Sequence, residues 1–397
     1  MTRLNELYEL CNQSPWLDNL RRDYLKNGHM AYLIEQGVRG VTSNPTIFAK
    51  SMESIDDYDE QFYSLIENAY KQDNVQADQL EDAYWAMAMK DVTDALDLFA
   101  PLYEASQGTD GFVSLEVSPF IANDTKSTIK AAKWLHEEIN RPNLLTKVPA
   151  TKEGIPAVQQ LISQGHSVNV TLIFSHSRYE EVMEAYITGL EQLTSRLVDL
   201  GKDQTEIARS LGAVSSVASF FVSRIDTEVD KRLAHLEQMG KIDSSAMVEL
   251  AGKAGLSQAK LAYKLFRHTF STPRWQALAA IGAKVQRPLW ASTSTKNPAY
   301  PDLLYVDNLI GDQTVNTIPD TTLDAFLDHG TPKPTIDTGR DAAENTLAKL
   351  HTVGIDMDNV TQVLEDEGVK SFTKSFEGLL ETLNKKAQKK HGEEYRS

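Results

Sequence analysis

A lysine, Lys147, stands inside the apolar run "LLTKV" (144–148), with Pro149 directly after it. A lysine in such a run either snorkels its stem out to water or is a desolvated amine. Burial disfavours the ammonium, and a neutral amine can attack a carbonyl and form a Schiff base. The competing reading is a lysine paired with a carboxylate. Glu116 is the candidate partner, because a glutamate inside the apolar stretch "VSLEV" needs one. Asp18, which ends "PWLD" (15–18), has two open roles: N-cap of the next helix, or general acid or base near the lysine. Lys152, in "ATKEG", sits in a turn and is expected to be exposed.

A second group suits binding rather than bond-making. Asn44 precedes a proline in "VTSNPTIF", where helix capping is the ordinary role. Asn169 and Thr171 alternate in "SVNVTLIF" and so share one face of a strand. They could hold a hydroxyl or a water, or satisfy each other. Arg224 in "SFFVSRID" and Lys296 in "STSTKNP" are cations with hydroxyls nearby, Ser219 and Ser294 among them. Alone, either cation is an ordinary surface charge; together they are what a phosphate needs.

These residues need a scaffold that brings distant segments together. Short apolar or β-branched runs at 15–18, 37–42, 112–117, 144–148, 167–174, 214–222, 288–293 and 314–318 are nearly continuous in polarity, as in parallel strands buried on both faces. Helical patterns separate them. The segment 79–105 spaces Leu80, Tyr84, Met87, Ala88, Val92, Leu96, Phe99 and Leu102 at helical period, and Ser175 is a cap candidate before the helical pattern that follows it. Residues 226–239, 244–270, 339–353 and 358–388 also read as helical. Eight β-runs alternating with helices predict a (β/α)8 TIM barrel, with additional helices after strand 2 (about 50–110) and at the C-terminus. A doubly wound sheet is the alternative, but no G-x-G-x-x-G follows the first run. The chain reads as one barrel domain, 1–397, with C-terminal helices at about 339–397 packed on it. In a barrel, chemistry collects at the C-terminal strand ends, where the polar residues above fall.

Bulk composition narrows the functions. The 397 residues carry a formal net charge of −16, which disfavours nucleic-acid and anionic-membrane surfaces and requires any phosphate site to be locally basic. One cysteine, Cys11, excludes a disulfide framework and a cysteine-rich zinc cluster. No apolar run reaches membrane-spanning length and no signal-peptide pattern opens the chain, so the cytoplasm is the default location. There is no Walker A sequence and no H-E-x-x-H, and the nine histidines make no i,i+4 pair, so no metal site is expected. "DMDNVTQVLEDE" (356–367) imitates a calcium loop, but Val360 and Thr361 stand where a ligand and a glycine are needed. Helix capping is the expected role of that stretch.

Seven segments in order, "SPWLDNL", "GVTSNPTIF", "VSLEVSP", "LLTKVPAT", "NVTLIFS", "ASFFVSRID" and "LWASTSTKNPAY", resemble transaldolase, in the larger bacterial branch of that family. They fall one at each of the first seven expected strands, between about residues 14 and 300. The resemblance implies a (β/α)8 fold, no cofactor, and Schiff-base transfer of a dihydroxyacetone unit between sugar phosphates. The donor would be sedoheptulose 7-phosphate or fructose 6-phosphate, and the acceptor glyceraldehyde 3-phosphate or erythrose 4-phosphate, in the non-oxidative pentose phosphate pathway. By motif, Lys147 would be the Schiff-base lysine and Asp18 the residue handling the C4 hydroxyl proton. Glu116 and Thr171 would hold a proton-shuttling water, and Asn44 and Asn169 the dihydroxyacetone hydroxyls. Ser219, Arg224, Ser294 and Lys296 would line the phosphate end. Many relatives have arginine where Lys296 aligns, and lysine lacks the planar fork. Ser292 competes with Ser294 for one aligned position. A homodimer is a family-based expectation. Two alternatives differ in chemistry: an aldolase releasing free dihydroxyacetone, against which Glu116 argues, and a sugar-phosphate-binding barrel without catalysis, against which Lys147, Asp18 and Glu116 argue together.

Overall fold

A computed structural model of the chain describes residues 1–71 and 76–394. Its strands are β1 (Gln13–Leu17), β2 (Gly40–Thr42), β3 (Phe112–Glu116), β4 (Leu144–Pro149), β5 (Val168–Ile173), β6 (Ser216–Phe221), β7 (Arg287–Ala291) and β8 (Thr314–Ile318). All neighbours pair in parallel, and β8 pairs back onto β1, closing the barrel in sequence order. This is the expected (β/α)8 architecture. Every strand residue except Arg287 is buried, which is why the runs lack polar alternation.

The differences from expectation have local causes. Residues 37–39 do not join β2, because Gly37 takes a left-handed conformation and caps the helix His29–Gln36. Residues 244–270 form two helices, Ser244–Leu250 and Ala254–Thr269, divided at Gly252, whose positive φ and contact with the Tyr300 ring leave no room for a side chain. Asp18 is not an N-cap: the next helix, Arg22–Lys26, is entered through Arg21. Ser175 does cap its helix, accepting from the Arg178 N–H. Asp356 likewise accepts from the Asn359 N–H, so the calcium-loop imitation is helix-capping chemistry.

Two additions to the barrel matter for the site. Between β2 and β3 lie the helices Pro45–Ser54, Asp59–Lys71 and Ala77–Ala105. At the other end of the chain, Arg340–Thr352 packs on Ala254–Thr269, and the long helix Met357–Glu394 packs on Pro45–Ser54, Ala77–Ala105, Ser223–Gln238 and β5. Residues 72–75 of the expected insertion and 395–397 of the expected C-terminal segment lie outside the described residues. Among the described residues, no helix is long and apolar enough to cross a membrane.

Candidate active site

Strand register assembles the centre of the site. Glu116 on β3 is opposite Lys147 on β4, and Lys147 is opposite Asn169 on β5. Residues paired in this way share a face, so three polar side chains form one row across adjacent strands. All three are buried. The Lys147 Nζ lies 3.0 Å from Glu116 Oε2 and donates to the Ser43 carbonyl at 3.1 Å. The sequence alternatives for Lys147, desolvated amine and ion-paired lysine, are therefore both realised in one geometry. The pair is close but poorly aligned: among the described residues, neither carboxylate oxygen of Glu116 has a hydrogen-bond partner of good geometry. Burial holds Glu116 above the usual carboxylate range even with Lys147 beside it, which makes its carboxylate a better acceptor for a proton leaving the amine. Thr171, on the next strand, has a buried hydroxyl that also lacks a partner among the described residues. Lys152 is exposed in the turn after β4.

Asp18 follows β1 directly. Its Oδ1 accepts from Thr42 Oγ1 at 2.8 Å, and Thr42 also shares a hydrogen bond with Thr317 at 2.6 Å. Burial raises the Asp18 carboxyl, while Lys147 and the Thr42 hydroxyl draw it back down. Asp18, Lys147 and Thr171 face a common cavity of about 320 Å³ at the C-terminal ends of the strands. Its far wall carries Lys50, Arg224, Ser292, Ser294 and Lys296. Lys296 donates to Ser294 Oγ at 2.8 Å, and Ser292 Oγ shares a hydrogen bond with Ser223 at 2.8 Å. Lys296 is exposed at the cavity mouth, where partial desolvation first, then the neighbouring Arg224, pulls its ammonium below its ordinary range. Burial lowers Arg224 as well. Arg224 stacks on Phe221 at 5.1 Å but makes no ion pair among the described residues. Cations crowded against one another in a chain of net charge −16 form a local anion site.

The remaining predicted residues are partly committed. Asn44 caps Pro45–Ser54, accepting from the Ile47 N–H at 3.0 Å, and lines the cavity from that position. Asn169 donates to Ser114 Oγ at 3.0 Å and accepts from Ser219 Oγ at 2.7 Å. Its amide keeps one further proton. Ser219 lines the cavity, but its hydroxyl proton is used on Asn169. Sequence reasoning missed Thr42, Lys50, Ser371 and Phe372, all of which line the same cavity. Thr42 and Lys50 flank the "SNPTIF" segment and could have been taken from it. Ser371 and Phe372 lie in the C-terminal helix and carry no local signal.

The arms that hold the two late cations are tied together. Tyr305 donates to Asp226 at 2.8 Å and Tyr300 to Asp230 at 2.6 Å, linking the helix Ser223–Gln238, which carries Arg224, to the segment after Lys296. Burial pushes the Asp226 carboxyl up to about 7. Among the described residues, no group of three or more His, Cys, Asp or Glu side chains could hold a metal ion. What the site offers is an amine against a basic carboxylate, a second carboxylate across the cavity, and an anion-binding wall.

The chain was compared with known proteins. Residues 15–383 match the model of the transaldolase/fructose-6-phosphate aldolase family. The chain is 47% identical over 370 residues to a transaldolase of Parafrankia sp. (strain EAN1pec), covering 93% of this chain and 94% of the relative. A transaldolase of Thermobifida fusca (strain YX) is 47% identical over 372 residues, with 93% and 94% covered. One of Mycobacterium bovis is 43% identical over 371 residues, with 93% of each covered.

Proposed function

The chain belongs to the transaldolase/fructose-6-phosphate aldolase family and has transaldolase activity, and from that premise we propose that Lys147 is the Schiff-base nucleophile. The observation that carries this reading is the row Glu116–Lys147–Asn169, which sets an amine 3.0 Å from a buried carboxylate; of the three, Lys147 lines the cavity that also holds cations, while Glu116 and Asn169 sit behind it. The Lys147 amine adds to the C2 carbonyl of a ketose phosphate, and loss of water gives a cationic imine. Asp18 takes the C4 hydroxyl proton, the C3–C4 bond breaks, and its electrons flow into the imine as an enamine. An aldose phosphate leaves. The enamine then attacks the aldehyde of a second aldose phosphate, and the steps reverse.

The orphaned oxygens of Glu116 and Thr171 support their holding the water formed and consumed at the imine. Asn44 and Asn169 bind the dihydroxyacetone hydroxyls. Arg224 and Lys296, with Ser294, bind the phosphate, and Ser219 lines that end while its proton is held by Asn169; the dense cation wall supports this. The substrates are fructose 6-phosphate with erythrose 4-phosphate, exchanging with sedoheptulose 7-phosphate and glyceraldehyde 3-phosphate. The chain acts as one barrel domain, which the contacts of its C-terminal helices with barrel elements support. Its acidic surface supports a cytoplasmic enzyme that does not engage nucleic acid.

Borohydride reduction in the presence of fructose 6-phosphate, followed by peptide mass mapping, tests the assignment. A three-carbon adduct is expected on Lys147. An adduct on another lysine would overturn it.

A further inference from the structure

The cavity is closed by a residue that no barrel strand or barrel loop supplies. Phe372 belongs to the C-terminal helix Met357–Glu394, is 4% exposed, and lines the cavity. Its ring centroid lies 5.6 Å from Lys147 Nζ and 5.9 Å from the Arg224 guanidinium carbon. It therefore covers the amine on one side and the phosphate cation on the other. We propose that Phe372 is a specificity-determining residue that keeps water from the enamine, so that the three-carbon unit is transferred rather than released. This rests on the Lys147 reading above.

The chemistry defines what must be excluded. If C3 of the enamine takes a proton from water, it returns to the cationic imine. A second water adds at C2, its oxygen stays as the ketone, and free dihydroxyacetone and the Lys147 amine result. The water that Glu116 and Thr171 hold serves the imine, so release needs a further water to reach C3 of the enamine, and the Phe372 ring, 5.6 Å from the Lys147 nitrogen, covers that approach. Excluding water is how a site prevents hydrolysis of a reactive intermediate.

The rest of the helix is built to hold this ring in place. One turn on, Phe376 is fully buried and packs edge-on against Tyr84 at 5.0 Å and Phe120 at 5.3 Å. Ser375 hydrogen-bonds Thr46 at 2.7 Å, and Lys386 pairs with Asp59 at 2.5 Å. At the other end, Glu365 pairs with Arg178 at 3.4 Å. Thr46, Asp59 and Tyr84 all lie in the helices inserted after β2. The insertion thus acts as the platform on which the covering helix is fixed.

The test is the ratio of acceptor-independent dihydroxyacetone release to transfer onto erythrose 4-phosphate, measured with fructose 6-phosphate as donor. In Phe372→Ala the ratio should rise roughly tenfold or more, with the borohydride adduct still found on Lys147. Phe372→Val, smaller but apolar, should fall between alanine and the unsubstituted protein, and it carries the test if alanine loosens the helix. An unchanged ratio, even with both rates reduced, would overturn the proposal and leave the Lys147 reading intact, because loosened packing lowers both rates together. Failure to trap Lys147 in the unsubstituted protein would overturn both.

Discussion

The two ends of the barrel each hold a buried charge cluster, and the clusters are finished differently. At the N-terminal end, Asp110 accepts from Ser14 at 2.8 Å, Trp16 at 3.3 Å, Arg39 at 2.7 Å and Arg287 at 3.1 Å. Arg287 spends its other donors on Ser14 and the Thr109 carbonyl. Asp110 is saturated, and it ties β1, β7 and the approach to β2 together. At the C-terminal end, among the described residues, Glu116 has an ion-pair partner but no well-formed hydrogen bond, the Thr171 hydroxyl has none, and Arg224 makes ring contacts but no ion pair. A charge cluster that satisfies itself contributes to structure; one left open is shaped for a ligand. Burial alone does not separate the two, since both aspartate and glutamate are buried. The state of their partners does.

Substitution can break this contrast, and the largest effect should come from Lys147. Lys147→Ala should lower transfer by on the order of 10⁴-fold in a steady-state assay, because no other group can carry the covalent intermediate. A residual rate within tenfold of the unsubstituted protein would end the nucleophile assignment. Asp110→Ala should be next. It strands Arg39 and Arg287, and denaturant unfolding should show a loss of about 3–5 kcal/mol, with kcat of the folded protein little changed. A large kcat defect at unchanged stability would erase the distinction between the two ends. Arg224→Ala should raise KM for sugar phosphates roughly 10- to 100-fold, the value of a charge-assisted contact of about 1.5–3 kcal/mol, and should leave stability nearly intact. An unchanged KM would remove the phosphate role.

The smallest effect sharpens the comparison instead. Thr42→Val deletes a hydrogen bond that favours ionised Asp18, so the Asp18 carboxyl should rise further. Activity that needs the carboxylate is present above its pKa and lost as pH falls through it. The acid limb of kcat should therefore move to higher pH, with a rate loss of only a few-fold on the acid side. An acid limb that stays in place would mean that another group sets it.

Much of the barrel was legible because parallel strands buried on both faces leave continuous apolar runs, and β8 coincides with its run at 314–318. Strand edges were less legible. Whether residues 37–39 extend β2 depends on how Gly37 closes the preceding helix, which is a backbone matter. The site residues were legible one by one as polar interruptions. Their roles were not, because a lone Lys147 or Asp18 is equally well explained by pairing or capping. Asp18 reads locally as a helix cap; the next helix instead starts after Arg21, and Asp18 is held by Thr42, brought beside it by the pairing of β1 with β2. Phe372 was illegible for a stronger reason. It is one apolar position in an amphipathic helix, and its nearness to Lys147 exists only after the 224 residues between them have folded.

That separation also sets an order of events during synthesis. The barrel has all eight strands once residue 318 has been made, and β8 can then pair with β1. Phe372 follows 54 residues later. A barrel that closed before the last long helix docked would hold Lys147, Glu116 and Arg224 together with no Phe372 ring over them. Such an intermediate would already bind sugar phosphate and split it, but would spill the three-carbon unit into solution. The enzyme would thus begin as an aldolase and become a transferase only as its last long helix docks.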